Sequence, residues 1–182
     1  MKPVLLIIAF ALSACTGLVA QQPATSEWPV YGGDPGGHRY APFDQITNTN
    51  VGGLRLAWVY RTGDLLRGRG RFEATPLLVD GTLYVSTPLA QVVALDPATG
   101  AERWTFDAQV DLGGDYGDFA NRGVATWLDP RAGAGSHCRR RIYIGTVDAR
   151  LIALDAATGR PCDAFGSHGT IDLTHDLLNA PA

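Results

Sequence analysis

No part of this chain concentrates charge of one sign. Its 15 Lys and Arg and 18 Asp and Glu are spread over 182 residues, for a net charge of −3. With neither a basic stripe nor an acidic tail, nucleic acid is not an expected partner. Helix signals are equally scarce, amounting to a short turn near Phe43-Asp-Gln-Ile46. Cysteine occurs three times and never as Cys-x-x-Cys-His, so this segment attaches no c-type haem. Asp111, Asp115 and Asp118 stand among glycines but lack the spacing and the closing Glu of an EF-hand. The stretch from Asp107 to Asn121 therefore reads as a solvent-exposed connection. His38, His137, His168 and His175 have no ligand-like spacing and read as surface or loop residues, so no metal ligands are expected in this segment.

Long hydrophobic runs are also wanting. Val4 to Leu12 is too short to cross a bilayer as a permanent helix, and with Lys2 before it, residues 1–20 read as a targeting segment. Leu12-Ser-Ala-Cys15 resembles a bacterial lipobox, which would make Cys15 the lipidated first residue and anchor the protein to a membrane. Ordinary cleavage near Ala20, with Cys15 discarded, is the alternative. Either route implies export, and the expected location is the periplasm. Export makes Cys138 and Cys162 candidate disulfide partners, because they flank a hairpin whose pairing would bring them to one open end. Two free buried thiols are the alternative.

Glycine and proline, in contrast, are plentiful at 22 and 11 residues and punctuate short apolar runs. From Phe72 to Thr87 and from Gln91 to Trp104 the chain reads as three short strands joined by tight turns. Asp80-Gly81 is a two-residue hairpin signal, and Pro97-Ala-Thr-Gly100 is a second turn. The order returns downstream, with a strand at Arg141 to Thr146, a turn at Val147-Asp-Ala149, a strand at Arg150 to Asp155 and a turn at Ala156-Ala-Thr-Gly159. Ala94 to Ala153 and Gly100 to Gly159 are both 59 residues apart. One supersecondary unit used repeatedly, as in a β-propeller, accounts for such a period.

The remaining stretches fill in around this unit. Residues 21–27 are a polar tether, and Trp28 to Tyr40 is an irregular, Gly-rich and aromatic loop. Leu56 to Arg61 alternates as a strand, Asp64 to Arg71 is a basic loop, and Arg122 to Asp129 opens the second unit with an apolar strand.

Ala94-Leu-Asp-Pro-Ala-Thr-Gly-Ala-Glu-Arg-Trp104 is similar to the Ala-x-Asp-x-x-Thr-Gly-x-x-x-Trp blade motif of the pyrroloquinoline-quinone (PQQ) dehydrogenases. Trp28 to Tyr40, Phe72-Glu-Ala-Thr-Pro76, Asn121-Arg-Gly-Val124 and Thr146 to Asp155 resemble successive segments of the membrane-associated glucose dehydrogenase branch. The likeness runs from Ser26 to Leu173. It implies an all-β fold, residues 28–182 forming about two blades of an eight-bladed propeller zipped by tryptophans between blades. In the second copy the position of Trp104, ten residues after Ala153, is Asp163, with Phe165 nearby as a substitute or no substitute at all.

The resemblance also implies a site. Glu73 matches an acidic residue that hydrogen-bonds the cofactor, Arg122 the arginine beside its reactive carbonyls, and Thr146 a hydroxyl contact to its carboxylate-bearing rings. Taken alone, a Glu or Arg at a strand start is more often a solvated cap or surface ion pair. Tyr116-Gly-Asp118 stands where some alcohol-oxidising relatives carry a vicinal disulfide, which favours a sugar or polyol substrate over methanol. The catalytic aspartate and the Ca²⁺ ligands of the family belong to later blades, beyond Ala182. The chain is therefore expected to be an N-terminal portion of a longer enzyme that passes electrons to a quinone or cytochrome, and to be inactive and marginally stable alone. The rival expectation is a non-enzymatic propeller lipoprotein that scaffolds outer-membrane protein assembly.

Overall fold

The computed structural model describes residues 27–64 and 70–174. Residues 1–26, which include the expected targeting segment with Cys15 and most of the expected tether, residues 65–69 and the tail from His175 onward lie outside them. Among the described residues, ten strands and one short 3₁₀ turn account for the regular structure. In chain order they are β1 (Gly70–Thr75), β2 (Leu77–Val79), β3 (Thr82–Ser86), β4 (Gln91–Leu95) and β5 (Glu102–Asp107), then β6 (Phe119–Gly123), β7 (Ala125–Leu128), β8 (Arg140–Gly145), β9 (Arg150–Asp155) and β10 (Thr170–Asp172).

Tight turns dictate antiparallel neighbours. Asp80 and Gly81 both adopt positive φ, at 48° and 67°, and close the β2–β3 hairpin. Strands β2-β3-β4-β5 form one four-stranded antiparallel sheet, and β7-β8-β9-β10 form a second. Leu77, Val79, Tyr84, Val92 and Ala94 of the first share one apolar cluster with Ile142, Ile144, Ile152 and Leu154 of the second. The two sheets thus pack face to face as neighbouring blades of a β-propeller. Each fully buried aliphatic side chain in that interface contributes about 1.5–3 kcal/mol, so the inter-blade core dominates the cohesion.

The 59-residue repeat holds atom by atom. Thr87 N–H donates to Gln91 O at 3.0 Å and Thr146 N–H to Arg150 O at 2.9 Å, while Ala90 and Ala149 adopt φ of 57° and 59°. At the next turn the Asp96 carboxylate accepts from the Thr99 hydroxyl at 2.9 Å, and Asp155 accepts from that of Thr158 at 2.8 Å. Tryptophans join the repeats. Trp104 Nε1 donates to Ala156 O at 3.0 Å, and Trp58 Nε1 donates to Pro97 O, the equivalent carbonyl one repeat earlier, at 3.2 Å.

Four expectations need correction. Leu56 to Arg61 pairs with no strand among the described residues, because the side chains of Trp58 and Tyr60 (the latter 2.5 Å from Glu102 Oε2) dock it on the first blade. The helical turn is a 3₁₀ turn at Val51–Gly53, not at residues 43–46, since the Asn50 side chain ties back to Thr47 N and Gln45 O. The stretch expected to be an exposed connection up to Asn121 ends in a strand: Phe119 is 1% exposed, and β6 pairs in parallel with β1. Pro76, which has no N–H to donate, separates β1 from β2 and frees β1 for that pairing.

The fourth concerns the outer strand of the second blade. Trp104 faces Ala94, but the residue on Ala153 is Gly169, not Asp163. Thr105 faces Val93 and Thr170 faces Ile152, a separation of 65 residues against the repeat's 59, so six residues are inserted. Phe165, in that insertion, packs edge-on against Tyr143 of its own blade at 5.4 Å. Beside it Cys138 and Cys162 form a disulfide, with Cα atoms 5.8 Å apart and both residues buried.

Candidate cofactor site

The parallel ladder of β1 and β6 carries the site. Its register runs Gly70↔Phe119, Arg71↔Ala120 and Phe72↔Asn121, then slips by one residue before Thr75↔Gly123. Such a bulge re-aims the side chains beside it. Period-two alternation turns Phe119 and Asn121 toward the blades and leaves Ala120 and Arg122 exposed. On the exposed face Arg122 Nε lies 3.2 Å from Glu73 Oε2, and Arg71 Nε lies 3.2 Å from Asp118 Oδ2. The Arg122 side chain is 85% exposed, so most of its donors remain available. Gly123 is required behind it: its φ is 137°, and a Cβ there would sit 3.1 Å from Thr75 O.

Glu73 and Arg122, 49 residues apart in sequence, are thus brought together. Thr146 is not joined to them. Its hydroxyl donates to the Asp148 carboxylate and accepts from Arg150 N–H at 3.0 Å. Thr87 Oγ1 accepts from Gln91 N–H at 3.1 Å in the first blade, so this threonine is a turn-forming residue of the repeat. To donate to a cofactor oxygen, the Thr146 hydroxyl would have to turn away from Asp148.

A cleft of about 380 Å³ opens beside the guanidinium, bounded by Tyr31, Thr75, Arg122, Gly123, Val124 and Gly145. That volume falls within the range of roughly 300–1,000 Å³ usual for small-molecule sites. Elsewhere, His137, Cys138 and Asp155 have candidate ligand atoms within 4.8 Å of one another. The disulfide consumes the sulfur, and Asp155 accepts the buried Cys138 N–H at 2.6 Å, so this group is a structural knot.

A sequence profile described as "PQQ: Glucose/ethanol/alcohol dehydrogenase, beta-propeller domain" matches residues 28–182. The chain belongs to this PQQ-dependent dehydrogenase family. It is 34% identical over 165 residues to quinoprotein glucose dehydrogenase A of Acinetobacter calcoaceticus, a match covering 82% of this chain and 21% of that protein. It is 42% identical over 162 residues to the quinohemoprotein alcohol dehydrogenase of Comamonas testosteroni, covering 85% and 21%. The crystal structure of the Comamonas enzyme superposes with a TM-score of 0.66 at 37% identity, over 86% of this chain and 21% of that one. The chain therefore spans about a fifth of the length of these relatives. They are dehydrogenases, in line with the expected enzyme family and not with the rival scaffold reading.

The donor set fits the family's cofactor. PQQ is a planar ortho-quinone bearing three carboxylates, and an exposed guanidinium with uncommitted N–H donors suits either kind of oxygen. The carboxylate beside it orients the guanidinium through Nε and, among the described residues, leaves the outer fork open to a ligand.

Proposed function

We propose that this chain supplies two blades and part of the cofactor site of an exported PQQ-dependent dehydrogenase that oxidises a sugar or polyol hydroxyl. The observation that carries this reading is the Glu73–Arg122 pair on one exposed face of the β1–β6 ladder, with Arg122 bordering a cleft of suitable size. Bound PQQ would supply the ortho-quinone that takes up two electrons from the substrate's carbinol carbon. Arg122 would hold a cofactor oxygen and stabilise negative charge there. Glu73 would fix the guanidinium and accept a hydrogen bond from the cofactor. Thr146 is the third proposed contact, a donor to the cofactor once its hydroxyl turns from Asp148.

The reading extends to features outside the described residues. Residues 1–20 direct export to the periplasm, with lipidation at Cys15 as the anchoring route. The proton-accepting aspartate and the Ca²⁺ ligands lie in further blades, and electrons pass to a quinone or cytochrome. Two blades leave sheet edges and a blade face without partners, so the 182-residue polypeptide by itself is expected to show no dehydrogenase activity.

The test places residues 28–174 in the corresponding segment of the Comamonas testosteroni enzyme, whose own later blades complete the ring. Titration of this hybrid with PQQ, with and without Arg122→Ala, reads the site directly. Weakening of about tenfold or more is expected from loss of a charge-assisted pair. An unchanged dissociation constant would remove Arg122 from the cofactor site.

A further inference from the structure

Asn121, beside Arg122 in sequence but on the opposite face of β6, makes three hydrogen bonds. Its Oδ1 accepts from Ser86 Oγ at 2.5 Å and from Gly123 N–H at 3.0 Å, and its Nδ2 donates to Gly145 O at 2.9 Å. The partners fix which way the amide points, because a backbone N–H can only donate and a carbonyl can only accept. Ser86 is the last residue of β3 and Gly145 the last of β8, and they are 59 residues apart. They are therefore the same position of the repeat in two successive blades. Ser86 is fully buried and reaches Asn121 through its side chain. Gly145 has none and offers its carbonyl.

We infer that Asn121 is the positioning residue for Arg122, a strut that ties β6 to the equivalent corners of both blades and so fixes where the guanidinium stands. This rests on the cofactor reading of Arg122. The physical argument is one of leverage. Among the described residues strand β6 pairs with β1 alone, whose register slips at the residues beside Glu73, so the two-strand ladder by itself fixes its position loosely. The Asn121 amide supplies ties to both blades, through Ser86 and Gly145, that the two-strand ladder lacks. Its third bond stays within β6 and holds Gly123 N–H, the residue immediately after Arg122. An error of about 1 Å in such a group is enough to cost on the order of a hundredfold in a positioned reaction.

A double-mutant cycle in the ring-complete hybrid separates positioning from mere stability. PQQ dissociation constants and the melting temperatures of the cofactor-free protein are measured for the parent, Asn121→Ala, Arg122→Ala and the double variant. Asn121→Asp, which keeps the acceptor for Ser86 and Gly123, serves as the milder variant if Asn121→Ala does not fold. The expected result is that loss of Asn121 weakens PQQ binding about tenfold when Arg122 is present and has little effect when Arg122 is alanine. The drop in melting temperature should be the same in both backgrounds. Equal weakening in both backgrounds, or none with Arg122 present, would overturn the inference. If Arg122→Ala itself changes nothing, the cofactor reading falls first, and the Asn121 inference falls with it.

Discussion

The indole of Trp104 stands where a side chain at residue 159 would have to go: a Cβ built on Gly159 would lie 2.5 Å from Trp104 Cε3. Trp58 repeats the arrangement one blade earlier, with a Cβ on Gly100 at 2.5 Å from its Cδ2. Both glycines also need their left-handed backbone, at φ 70° and 71°. Gly159→Ala should therefore suffer twice, from backbone strain and from overpacking, for a total of about 2–4 kcal/mol. Trp104→Ala should lose about 3–5 kcal/mol by emptying the inter-blade seam. Combining the two should cost less than their sum, because both act on one contact. Urea titration of the four proteins checks this, and simple additivity would argue against direct docking.

The disulfide makes a second prediction. Cys138 and Cys162 are 24 residues apart and clamp the base of the six-residue insertion in the second blade. Closing a loop of that length is worth about 3 kcal/mol through the unfolded state. Cys138→Ser with Cys162→Ser should lower stability by that order. It should also open the segment around Phe165 to protease, while Tyr84–Trp104 packing in the other blade persists. Digestion mapped by mass spectrometry, with parent protein under reducing conditions as the control, decides the matter. Cleavage spread equally over both blades would count against a local clamp.

Much of this architecture is legible in the sequence, for a local reason. Every turn that sets the 59-residue period is built from contiguous residues, Asp96 to Gly100 and Asp155 to Gly159 above all, so their side chains announce it. The β1–β6 ladder announces nothing, since its strands are parallel and joined across the whole first blade. Its partners find each other only once that blade exists. Family resemblance, not pattern, therefore points to Glu73 and Arg122. The role of Asn121 is hidden in sequence because its partners Ser86 and Gly145 lie in different blades and meet it only once both have folded. The insertion before Thr170 is hidden for another reason: counting from Ala153 assumes that every repeat has the same length.

Acid should act on the second blade through Asp155. Burial raises the pKa of this carboxyl, but the Cys138 N–H, the Thr158 hydroxyl and N–H, and His137 together outweigh burial and leave the pKa lowered. A carboxyl depressed in the folded state contributes stability that is present above its unfolded value and lost as pH falls through the folded one. The loss should thus begin below about pH 4, the ordinary aspartate range, and deepen on further acidification. Asp155→Asn keeps the shape but removes the titration, so its stability should fall less steeply than the parent's over that interval. Chemical denaturation at a series of pH values from neutral to acid measures both slopes, and parallel slopes would acquit Asp155.

Glu73 offers the sharpest separation of stability from function. Its ion pair with Arg122 sits on an open face, where such pairs contribute only about 0–1 kcal/mol. Glu73→Gln keeps an acceptor of the same shape and should leave the melting temperature of the ring-complete hybrid nearly unchanged. PQQ affinity should nonetheless fall, because the guanidinium loses the charge that orients it and the cofactor loses an anionic acceptor. A weakening of about tenfold is the expected scale for replacing a charge-assisted hydrogen bond by a neutral one. Salt gives the control: an exposed pair is screened, so raising ionic strength should narrow the gap between Glu73→Gln and the parent. A variant that melts early but binds PQQ as tightly as the parent would reverse the assignment, making the pair a strand clamp with no part in holding the cofactor.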